Sequence, residues 1–251
     1  MKLFPHEFRG QLRLYWRSRE LAFFTFALPI VMFALLGSVY GNDRIKQEGG
    51  IRAADYLLSG MLGYGAIATG FAGLSIVLVI RREQGVLKRL RATPLPAGTY
   101  IGALLCTTLI AFAIEAVFMV VIGRLSFHTH VSHVISLALS LLLGALAFTA
   151  LGLALASVIR SAEGSSAVVN AVYLPLAFVS GAFFSPHSFP QVLRAIADIF
   201  PLVYVIRLVR DVTLRGAQIW DRPTAVAVIA GWGIAGAIVA ARRFEWAPRE
   251  S

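Results

Sequence analysis

Six uncharged, predominantly apolar runs recur along the chain, at residues 21–42, 56–80, 92–114, 134–159, 164–193 and 223–241. A helix crossing ~30 Å of hydrocarbon needs about 20 such residues, and six spans are predicted at about 21–42, 56–80, 98–123, 134–159, 164–185 and 223–241. Inside a bilayer the backbone must satisfy its own hydrogen bonds. Runs this continuously apolar do so as helices, because barrel strands alternate polar and apolar residues. The predicted fold is an all-α integral membrane protein, one transmembrane domain over residues 1–251, with no internal repeat and no linker.

Two stretches depart from the simple spanning pattern. Phe4, Phe8, Leu12, Tyr15 and Trp16 recur at helical spacing, with Arg9, Arg13 and Arg17 on another side and Pro5 at a first-turn position. This predicts an amphipathic helix over 4–19, either lying in the membrane interface or forming the cytoplasmic start of span one. Before the last span, Pro186, Pro190 and Pro201 divide the chain into two helical pieces too short to cross. The first carries Val192, Leu193, Ile196 and Phe200 on its apolar side; the second carries Val205, Ile206, Val209 and Val212, with Arg207 and Asp211 as an i, i+4 pair. An outer re-entrant or interfacial hairpin is expected, against a seventh, broken span as the alternative.

Composition agrees with this picture. Hydrophobic residues make up 58% of the chain, charged residues 14%, and mean hydropathy is +0.75, too apolar for a wetted globular surface. The net charge of +10 sits beside the spans, which points to anionic headgroups and not to nucleic acid. Lys2, Arg9, Arg13, Arg17 and Arg19 precede span one; Arg81, Arg82, Lys88, Arg89 and Arg91 follow span two; Arg160, Arg242, Arg243 and Arg249 lie at later span ends on the same side. That side holds 14 of the 23 lysines and arginines, so both termini are expected in the cytoplasm and the chain in the plasma membrane. The first run is too long for a signal-peptide core and is read as a retained span. The one cysteine, Cys106, rules out an intrachain disulfide.

Small residues mark packing faces: Gly63, Gly70 and Gly73 in span two, Gly144, Ala145, Thr149 and Gly152 in span four, Gly233, Ala237 and Ala241 in span six. Chemistry-bearing residues are few. Glu115 is a carboxylate embedded in an apolar span, with a cavity or gating role set against a structural one. Asn170 in span five can bond a neighbouring helix. His128, His130 and His133 form H-x-H-x-x-H in a short outer loop, with no Cys or carboxylate beside them to complete a metal set, so no metal site is expected. Phe23, Phe24, Phe26, Phe33, Phe178, Phe183 and Phe184 either line a substrate path or face lipid and neighbouring helices.

The connector between spans two and three, RREQGVLKRLRATPLP, is short, basic and helix-like. Glu83 near its start and Lys88, Arg89 and Arg91 toward its end complement a helix dipole; Thr93 and Pro94 stop the helix. Leu87 and Leu90 make a small apolar face able to enter a groove on a partner. The order Glu83, Gly85, Leu87, Leu90, Thr93, Pro94 resembles the cytoplasmic loop of ABC-2 type transporter permeases, of the branch with daunorubicin-resistance-like drug exporters and lipo-oligosaccharide exporters. The amphipathic N-terminal helix, Pro29 in span one, the six spans and the Pro-broken outer hairpin are similar too. Arg210 stands where that family usually places an Arg near the end of the second short helix. Phe200 departs from the Asn that often precedes the hairpin proline.

The resemblance implies a permease subunit moving a hydrophobic or amphipathic substrate outward, with the connector as a coupling helix seated in a separate ATP-binding-cassette ATPase that carries ATP and Mg²⁺. Six helices make too small a bundle for a full pathway, so a second permease copy or a paralogue is expected; Glu115 and Asn170 within spans, and Arg210 in the outer hairpin, are candidates for a gate or cavity. Lys2, Lys46 and Lys88 are followed by Leu, Gln and Arg, so the chain has no G-x-x-x-x-G-K-[ST] loop, and no cofactor or catalytic residue is assigned to it. A membrane-embedded lipid-modifying enzyme or a passive channel or scaffold are the competing classes.

Overall fold

An apolar run in hydrocarbon must close its backbone hydrogen bonds within itself, and the runs of this chain do so as α-helices, with π turns at Phe23–Ala27 and Ala68–Gly73. In the computed structural model, which describes residues 3–18, 23–159 and 161–243, helix α1 (Leu3–Arg17) comes first. A π turn (Phe23–Ala27) then continues into α2 (Leu28–Tyr40). A small antiparallel ribbon, β1 (Arg44–Ile45) paired with β2 (Ile51–Arg52), leads into α3 (Ala53–Glu83). The short α4 (Val86–Arg91) is followed by α5 (Ala97–Phe127), α6 (Val134–Val158), α7 (Ala162–Val179), α8 (Gln191–Ala197), α9 (Pro201–Leu214) and α10 (Pro223–Arg243).

Among the described residues, α3, α5, α6, α7 and α10 are long and apolar enough to cross a membrane. This is a multi-pass, all-helical membrane protein with five such helices, where six spans were predicted. The predicted first span is described only from Phe23, and α2 by itself has 13 residues, short of a crossing. Lys2, Arg19, Arg160 and Arg249 lie outside the described residues, as do the side chains of Phe24 and Phe26. The span predicted over 164–185 ends at Val179, because Gly181 takes a left-handed φ of 88° and packs on Pro186, turning the chain.

The bundle is built around α3, nearly all of which is buried. Its glycines let neighbours reach the backbone. A Cβ on Gly152 of α6 would stand 2.5 Å from the carbonyl oxygen of Gly70, and one on Gly63 would meet Ile206 of α9. In α10 the close approach is made by Gly233 and Gly236 against Ala147, Ala150 and Leu151. Ala237 and Ala241, predicted to share that role, are exposed, one helical step off the contact.

The two short helices differ from their predicted likeness. In α9, Val205, Ile206, Val209 and Val212 are fully buried among α3, α6 and α10, so this helix is a wedge inside the bundle. In α8, by contrast, Val192, Leu193 and Ile196 are 69%, 40% and 48% exposed. Arg207 and Asp211 do not pair. Arg207 reaches back to Asp198 at 2.5 Å, while Asp211 holds Arg215 at 2.7 Å and Arg222 at 2.6 Å.

Candidate functional site

The connector is tied to the bundle through three consecutive residues at the end of α3. Successive helical residues point about 100° apart, so Arg81, Arg82 and Glu83 reach three different neighbours. Arg81 Nη1 donates to Gln11 Oε1 of α1 at 2.6 Å and to the Tyr100 hydroxyl at 3.2 Å. Buried Arg82 donates from Nη1 to the Ala156 carbonyl at 2.8 Å and from Nη2 to the Ile159 carbonyl. Glu83 Oε2 accepts from the backbone N–H of Ala162 at 2.7 Å.

The last two contacts form one clamp. α6 ends at Val158 and α7 begins at Ala162; a helix leaves unpaired carbonyls at its C-terminus and unpaired N–H groups at its N-terminus. Arg82 satisfies the carbonyls and Glu83 an N–H, each with the charge the helix end attracts. Glu83 is exposed as well as bound to α7, whereas Arg82, which stands outside the Glu83–Pro94 motif, is buried. The available signal for Arg82 was an Arg directly abutting an apolar run, which must snorkel or find buried acceptors.

Beyond the clamp, Gly85 has φ of 69° and no Cβ contact within 4 Å, so backbone geometry, not space, calls for glycine. Gly85→Ala is expected to cost about 1–2 kcal/mol, read as a lower melting midpoint of the purified protein. Gly98→Ala, in the first turn of α5 with open space around it, is the control that stays put. Leu87 is 1% exposed and packs in this chain's own core, with Leu90 against it. The predicted outward apolar face therefore points inward, because α4 folds back after Gly85 and anchors itself on the bundle. The connector's exposed residues are Glu83, Gln84, Lys88, Arg89, Arg91, Ala92, Thr93, Pro94 and Pro96. Thr93 Oγ1 donates to the Leu90 carbonyl at 2.6 Å and accepts from Leu95 N–H at 3.4 Å, closing the helix.

Glu115 of α5 lies deep in the bundle, 0% exposed. Its Oε2 is 2.9 Å from Thr69 Oγ1, which is also 3.0 Å from the carbonyl oxygen of Thr25. Thr69 and Thr25 both sit on π turns, at Ala68–Gly73 and Phe23–Ala27. Thr25 Oγ1 continues the chain to the Tyr15 hydroxyl at 3.0 Å; burial pushes that hydroxyl up to about 12, opposed by its bond to Thr25. A threonine hydroxyl has one proton. If Thr69 gives it to the Thr25 carbonyl, its contact with Glu115 needs a proton from the carboxyl. Glu115 makes no ion pair among the described residues, and its Oε1 has no hydrogen-bond partner there. With Thr69 donating to the Thr25 carbonyl, the hydrogen-bond count is met by a protonated carboxyl. Thr69, Thr25 and Tyr15 were not legible beforehand: hydroxyls in apolar helices usually bond their own i−4 carbonyl, as Thr107 and Thr108 do here.

Asn170 lines a cavity of about 610 Å³ with Thr25, Tyr64, Ser166 and Tyr173. Phe183 packs edge-on to Tyr64, and Phe33 is buried, whereas Phe23, Phe178 and Phe184 are exposed. Arg210 of α9 is 6% exposed. It stacks over the Tyr56 ring, 3.7 Å from its centroid, and donates to the Gly181 carbonyl at 2.9 Å and to Ser59 Oγ at 3.3 Å. Burial lowers its pKa and the neighbouring Tyr56 and Glu48 raise it; an arginine stays charged throughout. Arg210 therefore lies apart from Glu115 and Asn170, which are linked through Thr69 and the cavity-lining Thr25. Arg210 belongs to the ribbon end of the bundle. His128 and His130 are exposed, beyond α5.

The family model described as ABC-2 type transporter matches residues 6–214. The chain is also similar to a protein of Bacillus subtilis (strain 168) that bears the name "Putative transport permease YvfS". The two are 23% identical over 194 residues, which cover 76% of this chain and 78% of that one.

Proposed function

The chain belongs to the ABC-2 type transporter family, and we propose that it is the permease subunit of an ATP-binding-cassette exporter, driven by a separate ATPase subunit that binds ATP and Mg²⁺. The observation that carries this reading is the clamp of Arg82 on the C-terminal end of α6 and of Glu83 on the N-terminal end of α7. A force applied at α4 is delivered through it to α6 and α7 together, and through Arg81 to α1. Rigid helices pass such displacement on, and a partner that contacts the two states differently shifts their balance.

In this reading α4 docks with its cationic face, Lys88, Arg89 and Arg91, while Leu87 anchors it to the bundle. Both termini and α4 lie on the cytoplasmic side of the plasma membrane. Phe23–Ala27 and α2 make the sixth crossing: Thr25 packs beside Gly73 at one end, and Gly41 beside Ala54 at the other, which covers most of the length of α3. α8 and α9 form the outer re-entrant hairpin. A bundle whose central helix is already buried has no room for a full path, so a second permease copy or paralogue completes it. The cavity beside Asn170, of about 610 Å³, has the size of small-molecule sites and suits a hydrophobic or amphipathic substrate.

The test separates docking from transmission. Lys88→Glu with Arg89→Glu is expected to abolish co-purification of the ATPase subunit. Glu83→Ala is expected to keep co-purification and lose most substrate-stimulated hydrolysis. Full stimulation in Glu83→Ala would remove the clamp from the mechanism, and an ATPase that never associates with wild-type protein would remove the exporter reading.

A further inference from the structure

At the ribbon end, away from the connector, a cavity of about 510 Å³ lies between the end of α7, α8 and α9. Four arginines line it, Arg194, Arg207, Arg210 and Arg215, against Glu48, Asp198 and Asp211. Two of the arginines are already matched: Arg207 by Asp198, and Arg215 by Asp211, which also holds Arg222. Glu48 accepts from Ser185 Oγ at 2.7 Å. Arg194 and Arg210 make no ion pair among the described residues. Arg194 Nε is moreover a buried donor with no acceptor there, a state that costs free energy until an acceptor arrives. Arg210 gives Nε to Ser59 and one Nη to the Gly181 carbonyl, so the cavity presents one uncommitted donor, Arg194 Nε, beside the Arg210 charge in a partly desolvated setting, where charge-assisted bonds to an oxyanion are strongest.

This polar cavity does not stand alone. Gln191 and Ala195 also line a second cavity, of about 420 Å³, whose other walls are Val192, Ile196 and Ile199. Those three side chains are 69%, 48% and 60% exposed, an apolar strip on α8 and the turn that follows it, which the bundle leaves uncovered. One short helix therefore turns Arg194 toward the cationic cavity and an unpartnered greasy strip toward the outside.

We infer that this juxtaposition is a binding site for an anionic amphiphile of the phospholipid type, its phosphate in the cavity against Arg194 and Arg210 and its acyl chain along Val192, Ile196 and Ile199. Charge complementarity selects the headgroup, and the apolar strip distinguishes a lipid from a free anion. Under the exporter reading this site lies on the exit side, where it would receive the cargo or a bilayer lipid; binding itself requires neither ATP nor the ATPase subunit.

The full chain, purified in a neutral detergent, is exposed to dioleoyl phosphatidylglycerol, to dioleoyl phosphatidylcholine or to inorganic phosphate, and retention is read by native mass spectrometry. Phosphatidylglycerol should be retained in preference to phosphatidylcholine, and Arg194→Gln should weaken it about tenfold, as loss of a charge-assisted bond implies. Arg124→Gln, an exposed arginine at the same end of the bundle, is the control and should leave retention unchanged. Ile196→Ser should weaken the lipid as well. Both variants alter partly exposed side chains, and circular dichroism and elution volume verify their fold. Equal retention of the two lipids, or an unchanged Arg194→Gln, would overturn the site. Phosphate binding as well as phosphatidylglycerol would overturn the amphiphile and leave a free-anion site. An Ile196→Ser that alters the oligomeric state and not lipid retention would assign the strip to a second copy. These outcomes stand whether or not ATP drives transport, so a failure here and a failure of the exporter reading are told apart.

Discussion

Arg82→Ala is expected to lower stability by about 3 kcal/mol and, under the proposed exporter reading, to uncouple the permease from the ATPase subunit. The side chain donates to the carbonyls of Ala156 and Ile159, and each hydrogen bond from a charged donor contributes roughly 1.5–3 kcal/mol when its loss leaves a buried acceptor unpaired. Truncation also removes the positive charge that the C-terminus of α6 attracts. Arg82→Lys should recover less than half of the loss. A single ammonium lacks the guanidinium fork that bonds two carbonyls from one fixed plane. Melting of the purified protein reads the first effect, and substrate-stimulated ATP hydrolysis in the reconstituted complex reads the second. A melting point unchanged in Arg82→Ala would mean that water or another donor serves the end of α6 equally well.

Glu115 gives the second large effect, through a contrast between two substitutions of similar size. Glu115→Gln should leave stability within about 1 kcal/mol of wild type: the amide N–H₂ can donate to Thr69 Oγ1 much as a protonated carboxyl does, and no charge is lost. Glu115→Lys should cost several kcal/mol, since it places an ammonium without a carboxylate partner at a fully buried position. Melting midpoints of the three proteins in one detergent decide it. If Gln proves as damaging as Lys, the carboxyl is ionised and paired in a way the Thr69 and Thr25 contacts do not provide. If Lys is tolerated, water reaches the site, and Glu115 borders an aqueous path.

The chain's large-scale plan was legible because it rests on composition over long windows. Apolar runs of more than 20 residues dictate helices wherever hydrocarbon is the solvent, whatever packs beside them. The glycines of span two announced a closely approached helix, and α3 is that helix. Glu115 could be singled out because a carboxylate inside an apolar run has no ordinary explanation. Which atoms answer it was not legible, since Thr25 and Thr69 are 44 residues apart and Thr69 and Glu115 46.

Local pattern misled where two environments share one signature. Leu87 and Leu90 make an apolar face three residues apart, and that spacing is the same whether the face meets a partner or the chain's own bundle. α8 and α9 both read as amphipathic, yet α9 is swallowed by the bundle and α8 is left exposed. Arg207 and Asp211 had the right spacing for a pair, but Asp211 points to Arg215 and Arg222, and Asp198 is nearer to Arg207.

What the sequence by itself determined is therefore the solvent and the secondary structure: a membrane, helices through it, a basic connector stopped at Thr93 and Pro94, and no phosphate-binding loop. Those properties follow from transfer free energies and backbone hydrogen bonding, which add up residue by residue along the chain. Only the tertiary structure decided which charges are joined. The clamp of Arg82 and Glu83 on the facing ends of α6 and α7, the hydroxyl chain to Glu115, and the unmatched Arg194 beside a greasy face each depend on atoms far apart in sequence. Their energies come from distances of about 3 Å that no local pattern encodes.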